Sequence, residues 1–275
     1  MSNRTNRSTG WQLEENAPEA YEQYLVPPIF ASWADQLVTA GDVREGDRVL
    51  DVGCGTGIVA RRAVPRVGTS GSVVGVDINE GMLAVAAETA ADTDPTIEWQ
   101  QGDAADLPLS EERFDVVCGQ QSLQFFGDPA TALEEMRRVL TPDGRVALGV
   151  WRPLDYQPAY GILAEALQRH IGDEAGETMR SPFPAWDGED LRTLVQDAGF
   201  DNTSITIEIG SVRYPSVGEF VRREAASSPL AESLATVGRE IRDELIRDVE
   251  GALHRYSDDE GVVSPMESYV ITADR

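Results

Sequence analysis

The chain has 275 residues, and its 48 acidic against 23 basic side chains give a formal net charge of −25, an excess that argues against a nucleic-acid partner. That length supplies core enough for one large domain or two small ones, and a hydrophobic content of 41% excludes a disordered chain. No apolar run approaches the roughly 20 residues of a membrane span, which excludes an integral membrane protein, and the polar stretch from Met1 to Glu15 lacks an apolar core segment and does not read as a signal peptide, so a cytoplasmic location is expected.

Residues 1–16 read as a loose arm. Tyr21–Val26 and Ile29–Ala40 are expected as helices, interrupted by Pro27-Pro28, which cannot continue a helix interior, and stopped by Gly41. From there strands and helices alternate. Arg48–Val52 is a short apolar strand, Gly57–Val64 a helix, and Ser72–Val76 a second strand ending at Asp77. Glu80–Ala91 is a helix that turns Met82, Leu83, Val85 and Ala86 inward, followed by strands at Thr96–Gln100 and Phe114–Cys118. Asp128 caps a helix whose first residue is Pro129, with Leu133, Met136, Val139 and Leu140 as its buried stripe. Arg145–Trp151 is a fifth strand after the turn Thr141-Pro142-Asp143-Gly144. Strands separated by helices imply a parallel sheet covered on both faces.

The second half changes character. Gly161–Ile171 reads as a helix, and Asp187 caps another, carrying Leu191, Leu194, Val195 and Ala198 and stopped by Gly199. Thr203–Ile209 is a sixth strand with Ile205, Ile207 and Ile209 on one face. Helices follow at roughly 216–226 and 231–253, the latter striped by Leu234, Val237, Ile241, Leu245 and Val249, and Ser268–Ala273 is the last strand. These late helices are expected to form a lid over the carboxyl ends of the strands, where open α/β sheets bind ligands.

Cys54 and Cys118 are the only cysteines, in apolar or Gly-rich surroundings, so free thiols are expected and a disulfide scaffold is excluded. With His170 and His254 they leave no zinc-ligand spacing, and no metal is expected. His170 falls beside an apolar stripe and His254 at a helix end, both read as structural. Every basic residue is Arg. Arg for Lys together with a two-to-one acid excess points to a halophilic setting, where carboxylates hold water and cations and the Debye length is about 3 Å or less.

The strongest signal is Val49-Leu50-Asp51-Val52-Gly53-Cys54-Gly55-Thr56-Gly57, a strand running into alternating glycines and then a helix. Glycine permits positive φ and close approach of backbone to a ligand, and the helix that follows offers unpaired N–H groups. A dinucleotide fingerprint would place its third glycine at position 58, which is Ile58. Asp51 beside the loop is a poor neighbour for a pyrophosphate and a good one for an ammonium group, so a ligand with an amino-acid moiety is favoured over NAD. Asp77 ends the second strand 20 residues after Gly57, where an acid accepts both hydroxyls of a ribose. After the third strand, in Gln101-Gly102-Asp103-Ala104, either Asp103 or the Ala104 backbone is placed to bind an adenine edge, with turn formation as the rival role for Asp103.

With these segments, "VLDVGCGTGIVAR", "VVGVDINEGMLAVA", "QGDAADLPLSEERFDVVCGQQSLQFF" and "RVLTPDGRVALGVW", the chain resembles the class I S-adenosylmethionine-dependent methyltransferases, over roughly residues 48–151. The resemblance is to the small-molecule branch that includes ubiquinone and menaquinone C-methyltransferases. It implies S-adenosyl-L-methionine as cofactor and a Rossmann-like, seven-stranded, mostly parallel sheet whose last strand is antiparallel. It implies that Asp51, Gly53, Cys54, Gly55 and Gly57 hold the methionine end, that Asp77 holds the ribose, and that Ile78 and Met82 lie against adenine. Asp103 and Ala104 would flank the adenine amine, and Gln120 would line the cofactor. Tyr21, Tyr24 and Trp33 lie in N-terminal helices of the kind that close over the cofactor, with contact expected from Tyr21 and Tyr24. The expected division is an N-terminal helical cap at 1–40, a core of 41–152 with 200–210 and 266–275, and a helical lid from 153–199 and 211–265.

The expected activity is methyl transfer to a small hydrophobic or aromatic metabolite by in-line displacement. No catalytic base is identifiable: Gln124 stands where related enzymes often carry a histidine, and it cannot shuttle a proton. Trp151, Arg152, Tyr156, Trp186 and Tyr214 are candidates, as a group, for an aromatic-lined substrate pocket. A non-catalytic binder of the cofactor and, less favoured, an NAD(P)-dependent oxidoreductase stay open as alternatives, and oligomeric state is not legible.

Overall fold

A computed structural model describes residues 17–275; the loose arm expected over 1–16 lies outside the described residues. Its centre is a twisted sheet of β1 (Arg48–Val52), β2 (Ser72–Asp77), β3 (Glu98–Gln101), β4 (Phe114–Gln120), β5 (Leu140–Trp151), β6 (Asp201–Tyr214), β7 (Ser257–Asp258) and β8 (Gly261–Asp274). The order is β3-β2-β1-β4-β5-β8-β6, with parallel pairing from β3 to β5 and β8 inserted antiparallel between β5 and β6. The sheet therefore has eight strands rather than the expected seven. The extra one is the two-residue β7, which folds back on the start of β8 through Ser257↔Val262 and Asp258↔Gly261.

Eleven helices are described: α1 (Ala17–Tyr24), α2 (Ala31–Ala40), α3 (Ile58–Val67), α4 (Glu80–Thr89), α5 (Pro129–Val139), α6 (Pro158–His170), α7 (Asp173–Arg180), α8 (Gly188–Asp197), α9 (Val217–Ala226), α10 (Leu230–Thr236) and α11 (Arg239–Leu253). β1 and β4 are buried almost throughout because both sheet faces are covered. One covering cluster joins Ala34, Leu37 and Val38 of α2 and Val59, Ala63 and Val64 of α3 to Val49, Val73 and Val116. The other joins Leu133 and Met136 of α5 and Leu191 and Val195 of α8 to Leu50, Val74 and Val117. α8, part of the segment read from sequence as lid, thus packs on the sheet.

A third cluster forms the helical body, with Tyr160, Leu163 and Leu167 of α6, Met179 of α7, Phe220 of α9 and Leu245 and Val249 of α11. β6 and β8 run longer than expected, and their far ends, Val212, Tyr214, Val262 and Met266, enter this cluster and carry the body. The single helix expected over 231–253 is two helices, broken at Val237-Gly238, where Gly238 adopts an extended ψ of 151° ahead of α11. α7 lies in a stretch that gave no helical expectation. Ile207 and Ile209 share the outer face of β6 and are exposed, Ile209 at 67%.

Pro27-Pro28 lies between α1 and α2, in the interruption expected there. Val26–Phe30 forms a wide turn in which the Ala31 N–H reaches the Val26 carbonyl five residues back. Proline is tolerated at the start of such a turn because the first N–H groups have no partner within it. The Thr141–Gly144 turn is likewise absorbed into β5 as an irregularity, between the pairs Phe114↔Leu140 and Val116↔Arg145.

Candidate functional site

The loop leaving β1 is shaped by three left-handed glycines, Gly53, Gly55 and Gly57, with φ of 67°, 53° and 83°. The N–H groups of Gly53 and Cys54 both donate to the Val76 carbonyl, at 2.8 and 3.0 Å, which draws the loop across the end of β2. Gly57 opens α3, and a side chain there would strike the Trp99 ring at 2.3 Å. A Cβ on Gly55 would meet nothing within 4 Å. That open side is the floor of a pocket.

Asp51 is 1% exposed. Its Oδ2 accepts a hydrogen bond from the Ala60 N–H at 3.0 Å, while its Oδ1 is buried without a partner. Burial pushes its carboxyl up to about 7, with Asp77 adding a smaller push. Gln120, at the end of β4, donates through Nε2 to the Phe30 carbonyl at 2.9 Å and leaves Oε1 buried and unpartnered. Asp51 and Gln120 line one pocket together with Gly53, Cys54, Gly55 and Tyr21. Two orphaned acceptors facing one space are satisfied by a cationic donor such as an ammonium group.

The carboxylate of Asp77 accepts from the Gly55 N–H at 2.8 Å and, on its other oxygen, from the Asn79 N–H at 2.9 Å. Burial raises its pKa. Each oxygen keeps acceptor capacity for one more donor, which suits a vicinal diol. Next to it Ile78 is 53% exposed and Met82 half-buried, available as an apolar surface. Asp103 is exposed and accepts from the Ala105 N–H at 2.9 Å, the turn-forming role, while Ala104 is buried beneath it.

The N-terminal helices close one side. Tyr21 lies between this pocket and a second one, its hydroxyl held neutral by burial and by the carboxylates of Glu22, Asp77 and Asp51. Tyr24 does not reach the pocket: its ring sits 5.8 Å from the Arg223 guanidinium of α9. Trp33 packs edge-on against Trp151 at 5.4 Å and belongs to the core. Glu22 escaped sequence reasoning. It accepts from the Thr56 hydroxyl at 2.5 Å and pairs with Arg61 at 2.8 Å, tying α1 to the glycine loop and α3. Its partners lie 34 and 39 residues away, so no local pattern announces it.

The second cavity opens at the carboxyl ends of β4 and β5 under the helical body. Its wall is apolar and aromatic, with Phe30, Phe125, Trp151, Met179 and Phe183, and its polar groups are Gln121, Tyr160, Glu224 and Tyr21. Gln121 holds a φ of 52°, donates through Nε2 to the Ser268 hydroxyl at 3.0 Å, and leaves Oε1 buried and unpartnered. Of the five residues proposed for this role from sequence, only Trp151 lines the cavity. Arg152 pairs with Glu267 and lies over the Tyr156 ring, Tyr156 is exposed, and Trp186 packs on the sheet cluster. Tyr214 is buried and reaches the cavity only through Glu224. Cys118 is buried in β4, both cysteines are free, and His170 pairs with Asp248 on the surface at 2.8 Å.

Among the described residues no cluster of metal-ligating side chains occurs and no helix is long and apolar enough to cross a membrane. Residues 49–144 match a methyltransferase-domain family. The chain is 31% identical over 209 residues to the demethylmenaquinone methyltransferase of Staphylococcus carnosus, covering 72% of this chain and 84% of that protein. It is 33% identical over 169 residues to the 2-phytyl-1,4-naphtoquinone methyltransferase of Synechococcus elongatus, covering 56% and 70%. Among solved structures, a Haemonchus contortus phosphoethanolamine N-methyltransferase in complex with S-adenosyl-L-methionine aligns with a TM-score of 0.60 at 19% identity, over 98% of this chain and 58% of that one. At that identity the likeness is one of fold.

Proposed function

The chain belongs to the class I S-adenosylmethionine-dependent methyltransferases, in their quinone C-methyltransferase-like branch, and on that premise we propose that it binds the cofactor in the glycine-loop pocket and a ring-shaped hydrophobic acceptor in the adjoining aromatic cavity. The observation that carries the reading is the pair of orphaned acceptors, Asp51 Oδ1 and Gln120 Oε1, above the glycine floor. They fit the ammonium of a methionine tail. In the same reading Gly53, Cys54, Gly55 and Gly57 shape the floor and Asp77 takes the ribose hydroxyls. Ile78 and Met82 form the adenine face, Asp103 and Ala104 its edge, and Tyr21 the wall between the two ligands. Tyr24 drops out of the set.

When bound, the cofactor supplies a methyl group already activated on a sulfonium. The chain's task is then alignment and dryness. Tyr21 and Phe30 line both pockets, and the Glu22 contacts to Thr56 and Arg61 hold the N-terminal cap against the loop. The body of α6, α7 and α9–α11 acts as the lid that excludes water from the aromatic cavity. Names of relatives that act on naphthoquinone rings support a bicyclic or similarly sized aromatic acceptor. Turnover of methyl-labelled cofactor with naphthols and hydroxylated naphthoquinones tests this: transfer of label to a ring compound is expected, and label reaching only polar amines or no acceptor contradicts it.

We also place the protein in a cytoplasm of high ionic strength. Supporting this are the net charge of −25 and basic residues that are all Arg, several of them in half-exposed pairs such as Arg213–Asp258 and Arg48–Asp115. Unbalanced surface carboxylates repel one another until salt screens them. The melting temperature is therefore expected to climb as KCl is raised from millimolar to molar. A maximum in dilute buffer contradicts the placement.

A further inference from the structure

Of the described residues, two buried side chains are carboxylates: Asp51, in the glycine-loop pocket, and Glu224, which is 3% exposed and does not line that pocket. Glu224 stands on α9 and lines the aromatic cavity. Its Oε1 accepts hydrogen bonds from the Tyr160 hydroxyl of α6 at 2.8 Å and the Tyr214 hydroxyl of β6 at 3.0 Å. Its Oε2 takes none from any described residue. Among the described residues no cation neutralises it: the neighbouring Arg223, 5.9 Å from the Tyr214 ring, is held by Glu219 at 2.9 Å. The Tyr21 hydroxyl of α1 also feels its charge, which raises the tyrosine's pKa. A carboxylate fixed by two donors on one oxygen, with the other oxygen unpartnered in a cavity walled mainly by apolar and aromatic side chains, is built to receive a proton from what the cavity holds.

We propose that Glu224 is the proton acceptor of the reaction, taking the proton of a weakly acidic hydroxyl on the aromatic acceptor, with Tyr160 and Tyr214 as its positioning residues. This rests on the methyl-transfer reading above. The balance is X–H plus methyl sulfonium giving X–CH₃, a neutral thioether and one proton. The hydroxyl O–H bond breaks towards Glu224, the phenolate's electron pair forms the new carbon–carbon bond at a ring carbon, the pair of the broken carbon–sulfur bond stays on sulfur, and the proton displaced from that ring carbon returns to the oxygen. Glu224 holds the proton until product leaves and solvent removes it. Burial pushes its carboxyl up to about 7, against the lowering by the two tyrosine hydroxyls, so near neutrality it is basic enough to take a proton and acidic enough to return it. The unpartnered Gln121 Oε1, on a strained backbone in the same cavity, offers a second acceptor that orients the ring.

Glu224→Gln keeps the volume and an oxygen for both tyrosines and removes the base. Single-turnover methyl transfer to naphthols is expected to rise through about pH 7 in the parent, because Glu224 must be ionised, and in the variant to fall about a hundredfold and lose that limb. Calorimetry on protein loaded with S-adenosylhomocysteine gives a readout independent of turnover. The parent is expected to prefer 1-naphthol to 1-methylnaphthalene by about tenfold, and the variant to lose the preference. Should the variant not fold, Tyr160→Phe decides: removing a donor that lowers the Glu224 pKa moves the limb to higher pH, and an unmoved limb overturns the assignment. A parent that binds and transfers while Glu224→Gln keeps its limb and its hydroxyl preference overturns this assignment alone. A parent that neither binds S-adenosylhomocysteine nor methylates any ring overturns the methyl-transfer reading and this one with it.

Discussion

Asp51→Asn is expected to weaken S-adenosylhomocysteine binding by about 3 kcal/mol, roughly a hundredfold, while raising the melting temperature of the ligand-free protein at pH 8. The opposite signs have one cause. Asp51 is buried with Oδ1 unpartnered, and its carboxyl is pushed from 3.8 to about 7. A raised carboxyl contributes stability below the unfolded-state value and loses it as pH rises through the folded-state value, so above pH 7 the ionised group costs about 4 kcal/mol. Asparagine keeps an oxygen for the Ala60 N–H and removes that cost, but offers an ammonium group a dipole in place of a charge. A structural carboxylate behaves otherwise: its asparagine variant melts lower or unchanged and binds ligand as the parent does. Titration and melting at pH 8 separate the two.

Gly57→Ala is expected to be the most destabilising small change in the loop, at about 3 kcal/mol, from a left-handed backbone and an overfilled contact. The φ of 83° disfavours any side chain, and the added Cβ would lie 2.3 Å from Trp99 Cη2. Trp99 cannot retreat towards β2, because a Cβ on Gly75 would already be 2.4 Å from the same ring. The ring is wedged against both glycines, and the melting temperature should drop by roughly 10 °C. Gly55→Ala is the control. Nothing lies within 4 Å of its Cβ, so it carries only the backbone penalty of its φ of 53°, about 1 kcal/mol. It fills the pocket floor, however, and should cost more in ligand affinity than in stability. If Gly57→Ala melts like Gly55→Ala, the wedge does not exist.

What could be read in advance was local. The glycine loop, Asp51 and Asp77 sit within or beside single strand–turn–helix units, where spacing alone sets geometry: Asp51, Gly53, Cys54 and Gly55 line one pocket, and Asp77 is tied to its floor through the Gly55 N–H. Alternation of strands and helices gave the parallel half of the sheet for the same reason. The acceptor side was not legible. Glu224 stands in Arg222-Arg223-Glu224, which reads as a solvated face, and its partners Tyr160 and Tyr214 come from α6 and β6. Aromatic residues near a strand end were a poor guide: Trp186 went to the sheet cluster and Tyr156 to solvent, while Phe125, Met179 and Phe183 came to the cavity. The apolar stripe of 231–253 continued through Gly238 in sequence, but the backbone did not. Periodicity reports which face an element buries and says little about where it stops.

Titration calorimetry of the unmodified chain with S-adenosylhomocysteine near pH 7, repeated in two buffers of different ionisation enthalpy, counts the protons that move when the glycine-loop pocket fills. Asp51 is close to half-protonated there when the pocket is free, and an ammonium group drawn against it favours the carboxylate, so the release of about half a proton per ligand is expected, with affinity falling as the pH drops below 7. The Asp51→Asn variant should abolish the release. Absence of binding, or binding that releases no proton and is flat across that pH range, contradicts a cationic tail seated on Asp51.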